Sequence, residues 1–170
     1  MEADRSVETL VVDSNACNDA SFTVLDLSSF VNLKVFEVGD YSFALVKEVK
    51  LVGLNRLERV VIGAYCFIKN RISFGRECDH RFVLKDCERV RELVIGRWSF
   101  PGFGVCEIEG VPSLEVVSIG DLVDESFCFL YASLELKSEG GERRVRIRLA
   151  EVEDTRVWQS GFPGSDARCL

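Results

Sequence analysis

The chain has no basic surplus, no long apolar run, a single histidine and no closely spaced cysteine pair, and each shortage removes a class of function. Acids outnumber bases by 28 to 21, giving a net charge of −7. Phosphate backbones are held by basic surfaces, so nucleic acid is not an expected partner. No stretch approaches the run of about 18 uncharged apolar residues that marks a membrane-spanning helix. The opening MEADRSVETLVVDSNACNDA places acids early and lacks the basic-then-apolar order of a signal peptide. The expected setting is therefore the cytoplasm. Cys78, His80 and Cys87, with Cys66, can be read as zinc ligands, but C-x-H-x6-C lacks the C-x2-C rhythm of closed zinc sites. A cysteine nucleophile with His80 as base is weaker still, because no orienting partner or oxyanion donor stands beside it in the pattern. No metal, no cofactor and no enzymatic activity are expected.

What the chain does have is repetition. The phrase Leu57–Phe67 (LERVVIGAYCF) returns as Leu33–Phe43 (LKVFEVGDYSF), as Val90–Phe100 (VRELVIGRWSF) and, stretched, as Leu114–Phe127 (LEVVSIGDLVDESF). A worn first copy runs Val7–Cys17, with Asp13 in the glycine's place and Cys17 in the phenylalanine's. Each phrase is followed by an alternating apolar pair and one further apolar residue. These are Leu25, Leu27 and Phe30; Val49, Leu51 and Leu54; Phe82, Leu84 and Cys87; and Cys106, Ile108 and Val111. Alternation rich in valine, isoleucine and phenylalanine predicts short strands, and the recurrent glycine is read as the point where the backbone turns. Neither half can bury its apolar side alone, so the units must stack. The expected architecture is a β-rich solenoid of about five two-strand coils with little helix, over residues 1–137.

Unit starts at residues 7, 33, 57, 90 and 114 give lengths of 26, 24, 33 and 24. The extra length lies at one corner, between the phrase's end and the second strand. Insertions at a common corner emerge on one side of a solenoid. The longest, Ile68–Arg81 (IKNRISFGRECDHR), carries Lys69, Arg71, Arg76, Glu77, Asp79, His80 and Arg81. The fifth unit takes three extra residues before Phe127, and Leu134 and Leu136 form its second half. Ser138–Glu142 reads as a break, followed by a strand in which Val145, Ile147 and Leu149 alternate with Arg144, Arg146 and Arg148. Residues 138–158 are expected to close the stack, and 159–170 to form a loose tail.

The cysteines fit the repeat better than a disulfide framework. Cys87 takes the place of Leu54 and Val111, Cys106 that of Val49 and Phe82, and Cys17 that of Phe43, Phe67 and Phe100. These are core slots, where a free cysteine acts as a small hydrophobe. An odd count of seven fits reduced thiols.

The phrase, with Gly39 before Ser42-Phe43, Gly63 before Cys66-Phe67, Gly96 before Ser99-Phe100 and Gly120 before Phe127, resembles the leucine-rich repeat superfamily, and most of all its BspA-like class. The likeness spans roughly residues 7–136. It departs from better-known leucine-rich repeats at the place of their asparagine, which the successive units fill with Asn15, Tyr41, Tyr65, Trp98 and Leu122. The resemblance implies a curved strand stack that binds protein, often at a cell surface, and no catalytic residues.

Three places are candidates for such binding. On the phrase's strand, Thr9, Val35, Arg59, Glu92 and Val116 form one outward row and Val11, Glu37, Val61, Val94 and Ser118 the next. A sparsely charged face of this kind marks an interaction site, although valine also simply suits a half-buried strand. Tyr41, Tyr65 and Trp98 form an aromatic row, suited to binding or to packing as a ladder. The third is the charged excursion with Arg71, Arg76, Glu77, Asp79, His80 and Arg81. The arginines of 143–149 read as a solvated face. A protein-interaction module is therefore the expected function. The alternatives are a unit of a longer array that self-associates through its first coil, and a cysteine-dependent enzyme, which would need a thiol of low pKa.

Overall fold

The structure, a computed structural model, describes residues 6–68, 80–120, 128–129, 133–137 and 146–149. Eleven strands are placed there: β1 (Thr9–Val12), β2 (Val24–Asp26), β3 (Val35–Val38), β4 (Glu48–Val52), β5 (Arg59–Ile62), β6 (Arg81–Lys85), β7 (Glu92–Ile95), β8 (Val105–Glu109), β9 (Val116–Ile119), β10 (Ser133–Lys137) and β11 (Arg146–Leu149). No helix occurs among the described residues. Successive strands alternate between two parallel sheets. One has the order β1-β3-β5-β7-β9-β11 and the other β2-β4-β6-β8-β10.

The registers put like positions of the repeat side by side. Leu10, Phe36, Val60, Leu93 and Val117 align across the first sheet, as do Val12, Val38, Ile62, Ile95 and Ile119. In the second sheet Leu25, Val49, Phe82 and Cys106 align, as do Leu51, Leu84 and Ile108. Side chains alternate across a pleated strand, so every second residue enters one continuous core, in which Phe36, Val60, Phe82, Leu84 and Leu93 are fully enclosed. A one-residue slip would expose the whole set.

The corners after β3, β5 and β7 are built differently from the sequence expectation, whereas Gly120, after β9, does take the left-handed conformation with φ 83°. Gly63 and Gly96 do not take the left-handed conformation. They are needed because the preceding unit lies too close for a side chain: a Cβ on Gly96 would stand 2.6 Å from Ala64 N and 2.6 Å from Gly63 C. The turn is made by the aromatic residues that follow. Tyr41, Phe43, Tyr65, Phe67, Trp98 and Phe100 all have φ between 56° and 60°. Bulky residues rarely adopt that conformation and do so only where their surroundings over-determine it.

Here hydrogen bonds to both neighbouring units supply the constraint. The amides of Tyr41 and Tyr65 donate forward to Ala64 O and Arg97 O, both at 2.9 Å. The amides of Phe43, Phe67 and Phe100 donate back to Ala16 O, Ser42 O and Cys66 O at 3.1–3.2 Å. The residue before each phenylalanine adds a tie to the preceding unit. Ser42 Oγ donates to Asp13 O, Cys66 Sγ to Gly39 O, Ser99 Oγ to Gly63 O and Cys128 Sγ to Gly96 O.

This tie identifies the fifth copy of the dipeptide as Cys128-Phe129, not Ser126-Phe127. Phe129 stacks on Phe100 at 4.8 Å and 5°, shares the positive φ and is buried, so five residues enter the unit rather than three. A second correction concerns Cys17. It has the backbone conformation of its row, with φ 59°, yet it is exposed. Phe22 packs on Phe43 instead, with ring centroids 5.8 Å apart.

Candidate interaction surfaces

The outer face of the first sheet carries the two rows read from the sequence. Register joins Thr9, Val35, Arg59, Glu92 and Val116, and beside them Val11, Glu37, Val61, Val94 and Ser118. Its charges engage one another. Arg59 Nη1 donates to Glu37 Oε1 and Arg59 Nε to Glu92 Oε2 at 2.7 Å, a bridge across three strands. The Glu92 hydrogen bond in particular raises the Arg59 pKa above its usual value. Exposed pairs of this kind add little stability. Their consequence is that Val35, Val61, Val94 and Val116 share the face with charges already held in a network, while Val11 at its edge is 60% exposed.

Along the adjoining corner, Tyr41 stacks on Tyr65 at 4.9 Å and 1°, and Tyr65 on Trp98 at 6.4 Å and 5°. The Arg97 guanidinium lies 5.7 Å from the Tyr65 ring centre, within cation–π range. The ladder parallels the buried stack of Phe43, Phe67, Phe100 and Phe129, spaced 4.3–5.4 Å. Tyr65 and Trp98 are half-buried and Tyr41 is exposed, so the row presents ring edges along its length. The row follows β3, β5 and β7 by three residues in each unit.

Of the charged candidates in the excursion, the structure describes His80 and Arg81. Arg71, Arg76, Glu77 and Asp79 lie outside the described residues. His80 is 3% exposed and sits edge-on to Phe103 at 5.5 Å, so its ring is a core element and not a surface contact. Its slot is that of Lys47 and Gly104: its carbonyl accepts from Gly104 N and the Lys47 carbonyl accepts from Arg81 N. Arg81 opens β6 on the second sheet, exposed, in register with Glu48 and Val105. Around it that sheet's outer face carries its own ion pairs, Lys50–Glu48 at 3.0 Å and Lys85–Glu109 at 3.1 Å.

Apart from the exposed Cys17, the described thiols are shielded: Cys66, Cys87, Cys106 and Cys128 are buried and not in disulfides. Burial pushes Cys66 and Cys87 up to about 11, and Cys106 is pushed up by burial alone. Among the described residues no group of three or more His, Cys, Asp or Glu side chains is placed to hold a metal ion.

Sequence reading missed a groove of about 530 Å³ at the opposite corner, lined by Gly53, Asn55, Asp86, Glu88, Glu109 and Gly110 among others. Its backbone signal is the left-handed row Gly53, Asp86 and Gly110, with φ of 69°, 53° and 63°. The recurrence of glycine or aspartate one residue before Leu54, Cys87 and Val111 was visible in the sequence.

Among the described residues no helix is long and apolar enough to cross a membrane. No protein-family model, curated protein or solved structure matches the chain.

Proposed function

We propose that the chain is a non-enzymatic protein-interaction module, a solenoid of leucine-rich-repeat-like two-strand coils that binds a protein partner through the outer face of its first sheet. The observation that carries this is the valine-bearing face whose central charges, Glu37, Arg59 and Glu92, are committed to one another. A partner laid on it meets apolar surface without stripping water from unpaired ions, whose burial is costly. The Tyr41–Tyr65–Trp98 ladder extends the same surface with residue types enriched in binding hot spots. Support for the solenoid is the in-register recurrence of each repeat position across both sheets. The BspA-like resemblance rests on the repeated phrase alone, and the cytoplasmic setting on the composition of the sequence. A cysteine-dependent enzyme is disfavoured for Cys66, Cys87 and Cys106, because a nucleophilic thiol needs a lowered pKa and theirs are raised.

The test is capture of the partner from native extract, followed by titration of that purified partner against three variants. Val35→Glu with Val94→Glu should lower affinity at least about tenfold, which corresponds to about 1.4 kcal/mol. Arg81→Glu, on the second sheet, should leave it unchanged. Replacing residues 69–79 by a short glycine-serine bridge, keeping His80, reports on the charged excursion. Unchanged binding by the valine variant, with loss in the bridged one, would move the site to the excursion.

A further inference from the structure

Among the described residues, the exposed large hydrophobics, Val11, Phe22, Val24, Val31 and Tyr41, all fall between positions 11 and 41. In the same region Leu10, Val12 and Phe30 are only partly buried, whereas Phe36, Val60 and Leu93 in the row of Leu10 are fully enclosed. The cause is the strand order. Among the described strands, β1 and β2 each have a partner on one side only, β3 and β4. An edge of this kind offers a row of backbone donors and acceptors to another strand.

Charge narrows what fits. Residues 6–32 hold Glu8, Asp13, Asp19 and Asp26 and no lysine or arginine. Hydrogen bonds from Lys34, Ser21 and Ser28 hold Glu8, Asp19 and Asp26 below the usual carboxylate range, so all three are ionised at neutral pH. The edge therefore suits a strand that alternates apolar with basic residues. Among the described strands, the other end of the same sheet is such a strand: β11 reads Arg146-Ile147-Arg148-Leu149 and pairs with β9. Its register places Arg146 in the row of Thr9 and Val116, and Arg148 in the row of Val11 and Ser118. If that register continues from β11 into β1 of a second copy, Ile147 falls opposite Leu10, Leu149 opposite Val12, and Arg146 and Arg148 opposite Thr9 and Val11. Joining like ends would instead crowd four acids of one copy against four of the other.

The geometry points to head-to-tail association of copies of this chain, β11 of one against β1 of the next. A head-to-tail contact does not close on itself and builds open rows rather than a fixed dimer. The joint runs through the first sheet, since the described strands of the second end one position earlier, at β10. It is correspondingly weak. The inference rests on strand order and charge, and is independent of the binding face proposed above.

The experiment is sedimentation velocity of the full chain over a wide concentration range at low and high salt. Average mass should rise continuously past the dimer, and high salt should reduce the rise, because it screens exposed charges. Thr9→Lys with Val11→Lys should remain monomeric, as should Arg146→Glu with Arg148→Glu. Mixing the two should restore assembly, since each then presents one complementary pair of ends. Circular dichroism of both variants checks that they are folded, and the wild-type series needs no variant. Wild type that stays monomeric throughout would overturn the proposal. So would association that stops at a dimer, grows with salt or survives the arginine exchange.

Discussion

The left-handed phenylalanine row makes a prediction that differs from that of an ordinary core site. Phe67 is 1% exposed, lies between the rings of Phe43 at 5.4 Å and Phe100 at 4.3 Å, and meets Phe103 edge-on at 6.1 Å. Phe67→Ala should cost about 3–5 kcal/mol, as for other buried aromatics. The informative comparison is with Phe67→Gly. At a buried strand position, alanine to glycine loses about 0.8 kcal/mol for the methyl group and a further 0.5–1 kcal/mol or so in backbone freedom. Val60, fully enclosed in β5, should show that gap of about 1.5 kcal/mol between its alanine and glycine variants. At Phe67, φ is 58°, a conformation that costs a side-chain-bearing residue about 1–2 kcal/mol and glycine almost nothing. The two effects nearly cancel, so Phe67→Gly should be within about 0.5 kcal/mol of Phe67→Ala. Urea unfolding followed by circular dichroism measures all four variants. An alanine-to-glycine gap at Phe67 as large as that at Val60 would refute the left-handed turn and the account of the corner built on it.

Gly96→Ala should cost about 1–3 kcal/mol by overpacking, because its Cβ meets the backbone of Ala64 and Gly63; Gly53→Asn, at φ 69° with open space around it, should cost under about 1 kcal/mol in thermal unfolding, since asparagine tolerates that conformation. A thiol reagent applied to the native protein should modify Cys17 rapidly and Cys66, Cys87, Cys106 and Cys128 only on unfolding; rapid native labelling of Cys106 would contradict its burial. Cys66 and Cys87 keep their protons up to about pH 11 when folded, against 9.0 for an ordinary thiol. Their contribution is therefore complete below pH 9 and is lost as pH rises towards 11, where the unfolded chain releases protons that the folded one retains. The unfolding midpoint should fall across that window, and Cys66→Ser with Cys87→Ala should flatten the fall. Arg59→Ala should change stability by less than about 1 kcal/mol, since its ion pairs are exposed.

The strands and their inner rows were legible because a period of two is a direct imprint of the pleat: Phe36, Val60 and Leu93 had only one side to face. What could not be read depended on neighbours remote in sequence. Ser126-Phe127 and Cys128-Phe129 match the dipeptide equally well, and only the Cys128 thiol reaching Gly96 O and the ring of Phe129 reaching Phe100 decide between them. Cys17 has the right residue type and the right φ, but no unit packs on its outer side among the described residues. His80 stands at a slot occupied elsewhere by Lys47 and Gly104, which says nothing of burial; Phe103, two dozen residues away, encloses it. The candidate rows were legible as positions, whereas the Glu37–Arg59–Glu92 bridge needed the register that sets three strands side by side.

The same corner explains why the aromatic rows recur where glycine would have been the easier turn residue. Glycine at positions 41, 43, 65, 67, 98 and 100 would remove about 1–2 kcal/mol of conformational cost at each. It would also remove both ladders, and each stacked pair contributes about 0.5–1.5 kcal/mol beyond burial. The ladders run along the stack, and the amides of Tyr41 and Tyr65 donate to the unit ahead while those of Phe43, Phe67 and Phe100 donate to the unit behind. The left-handed conformation thus aims each amide at a neighbouring unit, while the ring it carries stacks on that unit's ring. Strain within a unit is exchanged for coupling between units, and coupling decides whether a repeat array unfolds together or piecemeal. The first unit has Asn15 and Cys17 in these rows and so lacks both rings, although it keeps the left-handed backbone. At Cys17 it bears that conformational cost with no ring of its own in that row to offset it. It should therefore be the first to open, its amides exchanging with solvent ahead of those of β5 and β7 in hydrogen-exchange measurements. Equal protection of β1 and β5 would mean that the aromatic ladders are not what couples the units.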